Sequence, residues 1–188
     1  MPAEVRAIHL QTLVAALPAL GRERASAIAG ALPAARLRRI EEAGRLEWLP
    51  ASLLVELCEA ARAAVGDEAL ERWGTAALQA VLRAPLARAF YEAALALHRR
   101  DPAVMLSYLV KAWPLLYSGC GDLVVAHAER MRVRLTLAPV PEPLRNAATV
   151  LPLVGAFAAI PTLCGFEGAA RADWGPASPR LVCHVTWR

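Results

Sequence analysis

The stretch AATVLPLVGAFAAIPTLCGF, residues 147–166, carries no charged side chain. Its length matches the roughly 20 residues that a bilayer span requires. Against a span stand Pro152 and Pro161 inside the run, and small residues such as Gly155 where a continuous face of large apolar groups would be needed. A helix that is apolar all round is buried either in lipid or in a protein core, and the flanking sequence selects the core. Upstream, Asp122 to His127 is rich in β-formers, and Met131, Val133, Leu135 and Leu137 alternate with Arg132, Arg134 and Thr136. This period of two describes a hairpin with one face in water. Downstream, Ala169–Trp174 and Arg180–Trp187 surround Gly175-Pro176-Ala177-Ser178-Pro179 and form a second hairpin. The apolar segment is therefore expected as a helix laid across a small antiparallel sheet, with no membrane span.

Before residue 119 the period is helical. Val5, Ile8, Thr12 and Ala16 share a face that Gly21 terminates, a helix is expected between Arg22 and Ala31, and Pro33 opens another over Ala34 to Glu42. Trp48-Leu49-Pro50 interrupts the pattern. Leu54, Leu57, Cys58, Ala61 and Val65 then recur at helical spacing until Gly66-Asp67, followed by a stripe of Leu70, Trp73, Ala77 and Val81. Beyond Pro85 a further stripe reads Leu86, Phe90, Ala93 and Leu97, with His98 closing the helix where the dipole favours positive charge. Asp101-Pro102 starts the last of these helices, which carries Met105, Leu109, Trp113 and Leu116 on one face. The fold class is α+β: a mainly helical part over residues 1–118, then a ββαββ part over 119–188, in one domain.

Composition excludes several functions. A chain that is 57% hydrophobic and 20% charged is not disordered. Its net charge of +4 is spread along the chain, and Arg36, Arg38 and Arg39 continue into Glu41-Glu42, so they describe a solvated helix face more readily than a nucleic-acid contact. Cys58, Cys120, Cys164 and Cys183 form no C-x-x-C pair, which suits a reduced, cytoplasmic chain.

The succession Trp48-Leu49-Pro50, Gly74, Trp113 to Tyr117 ahead of Gly121-Asp122-Leu123-Val124-Val125, and Cys183-His184-Val185-Thr186-Trp187 resembles a paralogous family of unknown function expanded in myxobacteria. Its layout is similar to vinyl-reductase-type domains, transport-protein-particle subunits and heme-nitric-oxide-binding domains. The resemblance implies helices packed around a small antiparallel sheet, frequent dimers, and an apolar cavity. Vinyl-reductase-type relatives carry two cysteines near the final strand, of which only Cys183 has a counterpart here.

No catalytic constellation emerges, and the protein is expected not to be an enzyme. G-x-S-x-G, a Walker A motif and a dinucleotide fingerprint are all missing. No metal is expected, because Cys183 and His184 point to opposite faces of a strand. Heme-binding relatives grip the propionates with Tyr-x-Ser-x-Arg, whereas Tyr117 is followed by Gly119 and Gly121 at the positions of the Ser and Arg. His98 alone is a poor ligand set, so no cofactor is expected.

Trp113 and Tyr117, one turn apart, line a ligand cavity or form the aromatic layer joining helix to sheet. Cys164 is a small buried apolar group, or an acylation site by analogy with transport-particle relatives. Two readings follow. One is a non-enzymatic sensory or regulatory domain that binds a small apolar ligand at Trp113, Tyr117 and Cys164. The other is an interaction or scaffolding subunit, a homodimer or the companion of another protein, with no small-molecule ligand.

Overall fold

A computed structural model describes residues 2–83 and 85–188, apart from the side chains of 83 and 85–87. The chain runs through β1 (Glu4–Arg6), α1 (Ala7–Ala16), α2 (Arg22–Ala31), α3 (Ala34–Glu41), β2 (Trp48–Pro50), α4 (Ala51–Arg83), α5 (Pro85–Leu97) and α6 (Pro102–Leu116). It continues with β3 (Tyr117–Ser118), β4 (Asp122–Glu129), β5 (Arg132–Ala138), α7 (Ala147–Leu163), β6 (Gly168–Asp173) and β7 (Leu181–Trp187). The fold is α+β.

Both expected hairpins form, and they join through β5 and β7 into one antiparallel sheet of order β4-β5-β7-β6. Leu135 pairs with Cys183 and Val133 with Val185, so the apolar phases of the two central strands coincide. Val133, Leu135, Cys183 and Val185 are all at most 2% exposed. Helix α7 lies between this sheet and the helical layer, contacting β6 and β7 on one side and α4 on the other. A helix apolar on every face thus finds a partner on every face. Asn146 starts it, its Oδ1 accepting the Thr149 amide at 3.1 Å. Among the described residues no helix is long and apolar enough to cross a membrane.

The helical half follows the expected order, with Gly66 breaking α4 at φ 74° and Asp101 capping α6 through the Ala103 amide at 2.8 Å. Three features differ from expectation. First, a second sheet of order β2-β1-β3 gathers the chain start, the segment before α4 and the end of α6. Val5 pairs there with Leu49 and with Tyr117, so tertiary pairing overrides the helical period that links Val5 to Ile8. Second, the α5 stripe faces outward: Phe90 is 79% exposed and Leu97 75%, while Leu95 is buried. Ala94 and Leu95 turn inward in its place, although Arg88 and Glu92 make the rest of that helix more polar than the exposed stripe; Leu86 lies outside the described side chains. Third, Arg36 and Arg39 pair with Glu56 and Glu47, distant in sequence, in place of the glutamates on their own helix.

Candidate functional site

Pairing of Val5 with Tyr117 brings the first turn of α1 against the end of α6, and a hydrogen bond of 2.7 Å joins His9 Nε2 to the Tyr117 hydroxyl. The Tyr117 ring stacks on Trp113, with centroids 3.9 Å apart and planes at 17°. Trp113 Nε1 in turn donates to the Gly121 carbonyl at 2.9 Å. Gly121 has φ +90°, and a Cβ there would run into the Pro139 carbonyl at 2.6 Å, so the turn that receives this bond requires glycine.

These three rings line a partly open cavity of about 330 Å³ bordered by α1, α4, α6 and α7, with Tyr91 of α5 also on its wall. Such a volume lies in the range of ligand sites. The lining is dominated by apolar groups: Leu54, Leu78, Leu109, Leu153, Phe157 and Ile160 among them. The whole expected stripe of Met105, Leu109, Trp113 and Leu116 faces this space.

Most polar groups on the wall are already satisfied. Thr12 donates to the Ile8 carbonyl and Thr149 to the Leu144 carbonyl, both at 2.7 Å. Tyr108 shares a hydrogen bond of 2.7 Å with His98 Nε2, which gives that imidazole a tyrosine partner beyond its position at the helix end. The exception is Tyr91, whose buried hydroxyl approaches the Cys164 thiol without reaching hydrogen-bond geometry. Burial lowers the pKa of His9 to about 4, so the imidazole facing the cavity is neutral. Burial also raises the thiol of Cys58, on the same wall, far above its usual value, leaving no thiolate there.

Of the residues singled out in the sequence, Trp113 and Tyr117 are on the lining. Cys164 is not on it. It caps the C-terminal end of α7, 2% exposed, and burial pushes its thiol up to about 11. Cys183 is buried and His184 points the other way, 2.9 Å from Asp173. Among the described residues no cluster of His, Cys, Asp and Glu could hold a metal. Sequence reasoning missed His9, Tyr91 and Tyr108. Only the pairing of β1 with β3, between segments more than a hundred residues apart, brings His9 to Tyr117.

The geometry has clear structural relatives. The fold is H-NOX-like. An Fe(II) unliganded H-NOX protein from K. algicida superposes with a TM-score of 0.65 at 12% identity, covering 97% of this chain and 96% of that one. An oxygen-binding H-NOX domain related to soluble guanylate cyclases, solved as the oxygen complex, gives 0.57 at 10% identity over 95% and 93%. No protein-family model and no curated protein matches the sequence.

The residues of this cavity do not fit a heme. Among the described residues no Lys or Arg lines it, so two propionates would be buried without the cations that compensate their desolvation. The Nε2 of His9 is taken by Tyr117, and His98 is not on the wall.

Proposed function

We propose that the protein is a non-enzymatic sensory or regulatory domain that takes a small apolar ligand into the cavity between α1, α4, α6 and α7. A single observation carries this reading: about 330 Å³ of space whose wall is largely apolar and most of whose polar groups already have hydrogen-bond partners within the protein. Such a space rewards burial of apolar surface by about 25 cal/mol per Å². The H-NOX neighbours, one an oxygen complex, support a ligand-sensing use of the fold; this chain's lining points to an apolar occupant without iron. A cytoplasmic location and membership of the myxobacterial family complete the reading.

The test is to fill the space. Ala156→Trp and Leu109→Trp, both on the lining, are expected to abolish binding of a hydrophobic fluorescent probe while preserving the circular dichroism of the fold. Unchanged probe binding would place the ligand elsewhere. Protein purified natively should also yield an apolar molecule on organic extraction and show no Soret absorbance; a Soret band would overturn the iron-free reading.

The second reading, an interaction subunit, draws on α5, where Phe90 and Leu97 are 79% and 75% exposed. With a second copy as the partner, sedimentation is expected to give a dimeric mass that Phe90→Asp converts to a monomer. A monomeric wild-type chain would sink that version.

A further inference from the structure

A second, smaller hollow of about 50 Å³ backs onto the same wall: Leu54, Trp113, Tyr117, Thr149 and Leu153 line both spaces. Its other side is different in kind. Arg145, Arg180 and Ser178 stand there among apolar groups, and no Asp or Glu is on the lining. Elsewhere in the protein arginines commonly meet carboxylates, as Arg62 meets Asp67 and Arg132 meets Glu129; among the described residues neither Arg145 nor Arg180 does.

The backbone segments that carry the two arginines are tied together. Arg145 Nε donates to the Val140 carbonyl at 2.8 Å, leaving its two terminal nitrogens for another acceptor. The Val140 amide donates to the Pro179 carbonyl at 2.7 Å, tying the segment that carries Arg145 to the turn that carries Arg180. Ser178 locks that turn, its Oγ accepting the Arg180 amide at 3.2 Å and donating to the Arg180 carbonyl at 3.0 Å. Thr149 and Val150, from the first turn of α7, line the same hollow, where the helix dipole adds positive potential. Two forked cations on one largely apolar lining, with no carboxylate beside them, describe a carboxylate site.

We propose that the ligand is a long-chain carboxylate, its head held by Arg145 and Arg180 and its apolar tail threaded into the larger cavity. This rests on the cavity reading above and names the class of its occupant. The partition between the spaces permits such threading. Trp113, Tyr117 and Thr149 are each pinned by a hydrogen bond, whereas Leu54 and Leu153 have only packing to hold them. A flexible chain passes by turning two leucines; a rigid porphyrin would have to displace the pinned aromatic pair.

The experiment compares dodecanoate with dodecanol, equal in tail and different in head charge, by calorimetric titration of the full chain after lipid extraction and refolding. Dodecanoate is expected to bind about tenfold more tightly at low salt, the equivalent of one charge-assisted hydrogen bond. Arg180→Gln and Arg145→Gln are each expected to remove that preference, bringing dodecanoate to the affinity that dodecanol has for the same variant. Equal affinity of the two ligands in the wild type, or a preference that survives both substitutions, overturns the head site and leaves the cavity reading standing. Failure of both ligands to bind overturns the cavity reading itself. Should Arg145→Gln fail to fold, Arg180→Gln decides alone, because the Arg180 side chain is exposed and its loss costs the native fold little.

Discussion

Gly155→Ala is expected to destabilise the protein by about 3 kcal/mol, the upper end of ordinary overpacking. Helices α4 and α7 cross with their backbones in direct contact: a Cβ on Gly155 would overlap the Glu71 carbonyl, and one on Gly74 would overlap the Pro152 carbonyl. In both cases the obstacle is helix backbone, which cannot rotate aside as a side chain does. The helices would have to separate, breaking the 2.9 Å hydrogen bond from Thr75 to the Gly155 carbonyl and opening the wall of the cavity. Alanine's better helix propensity returns only about 1 kcal/mol, so the loss dominates. Gly30 supplies the control within the same molecule. It lies inside α2 with nothing within 4 Å of a built Cβ, and Gly30→Ala should stabilise by about 0.5 to 1 kcal/mol. Urea denaturation of the two variants measures both effects; a Gly155→Ala midpoint equal to wild type would show that α4 and α7 do not pack this closely.

The same contact shows what the sequence makes legible and what it hides. The small residues of 147–166 argue against a membrane span, and the strand-like segments on each side, one of them alternating, argue for a sheet; both inferences rest on local pattern, and the sheet and α7 are where they were expected. That Gly155 meets Glu71 is not local. Neither is the three-stranded sheet, whose strands are only two or three residues long and carry no period of their own. The candidate site depends on that sheet, since it sets His9 against Tyr117. Trp113 could be singled out because it sits on a clean stripe that ends at a glycine turn, whereas His9 lies in an ordinary amphipathic segment with nothing to mark it. Helix α5 fails for another reason: its apolar stripe is clear in the sequence, with Arg88 and Glu92 on the other side, yet the structure leaves Phe90 and Leu97 on that stripe exposed, and periodicity cannot tell a face buried in the core from one left outside it.

Likeness to H-NOX domains extends over nearly the whole chain while the cavity chemistry departs from a heme site, which separates two properties that fold comparison alone would merge. What the architecture supplies is a partly open space between helices, with Tyr117 of the β3 segment on its lining. The proposed occupant would be selected by a few side chains: neutral His9, pinned Tyr117 and Trp113, and the arginines behind them.

Stability is expected to fall by about 3 kcal/mol as the pH drops from above 6.5 to about 4, through His9 alone. Burial lowers its pKa in the folded state from 6.5 to about 4, so between these values the unfolded chain binds a proton that the folded chain refuses. Protons therefore favour unfolding across that window; the contribution is intact above pH 6.5 and lost progressively below it. The groups around His9 do not relieve this. Tyr117, its hydrogen-bond partner, and the nearby thiols Cys58 and Cys120 all have pKa values raised by burial, so none supplies the negative charge that an imidazolium would need. His9→Phe should flatten the pH dependence, at a cost of about 1 to 3 kcal/mol for leaving the Tyr117 hydroxyl unpaired, and adding Tyr117→Phe should recover much of that cost. Exposed glutamates paired with arginine, such as Glu47 and Glu167, also lose stability on acidification, but equally in all three proteins. The quantity to compare is the difference in urea midpoint between neutral pH and the lower end of the window. If His9→Phe retains the wild-type difference, the imidazole is not held neutral by the cavity.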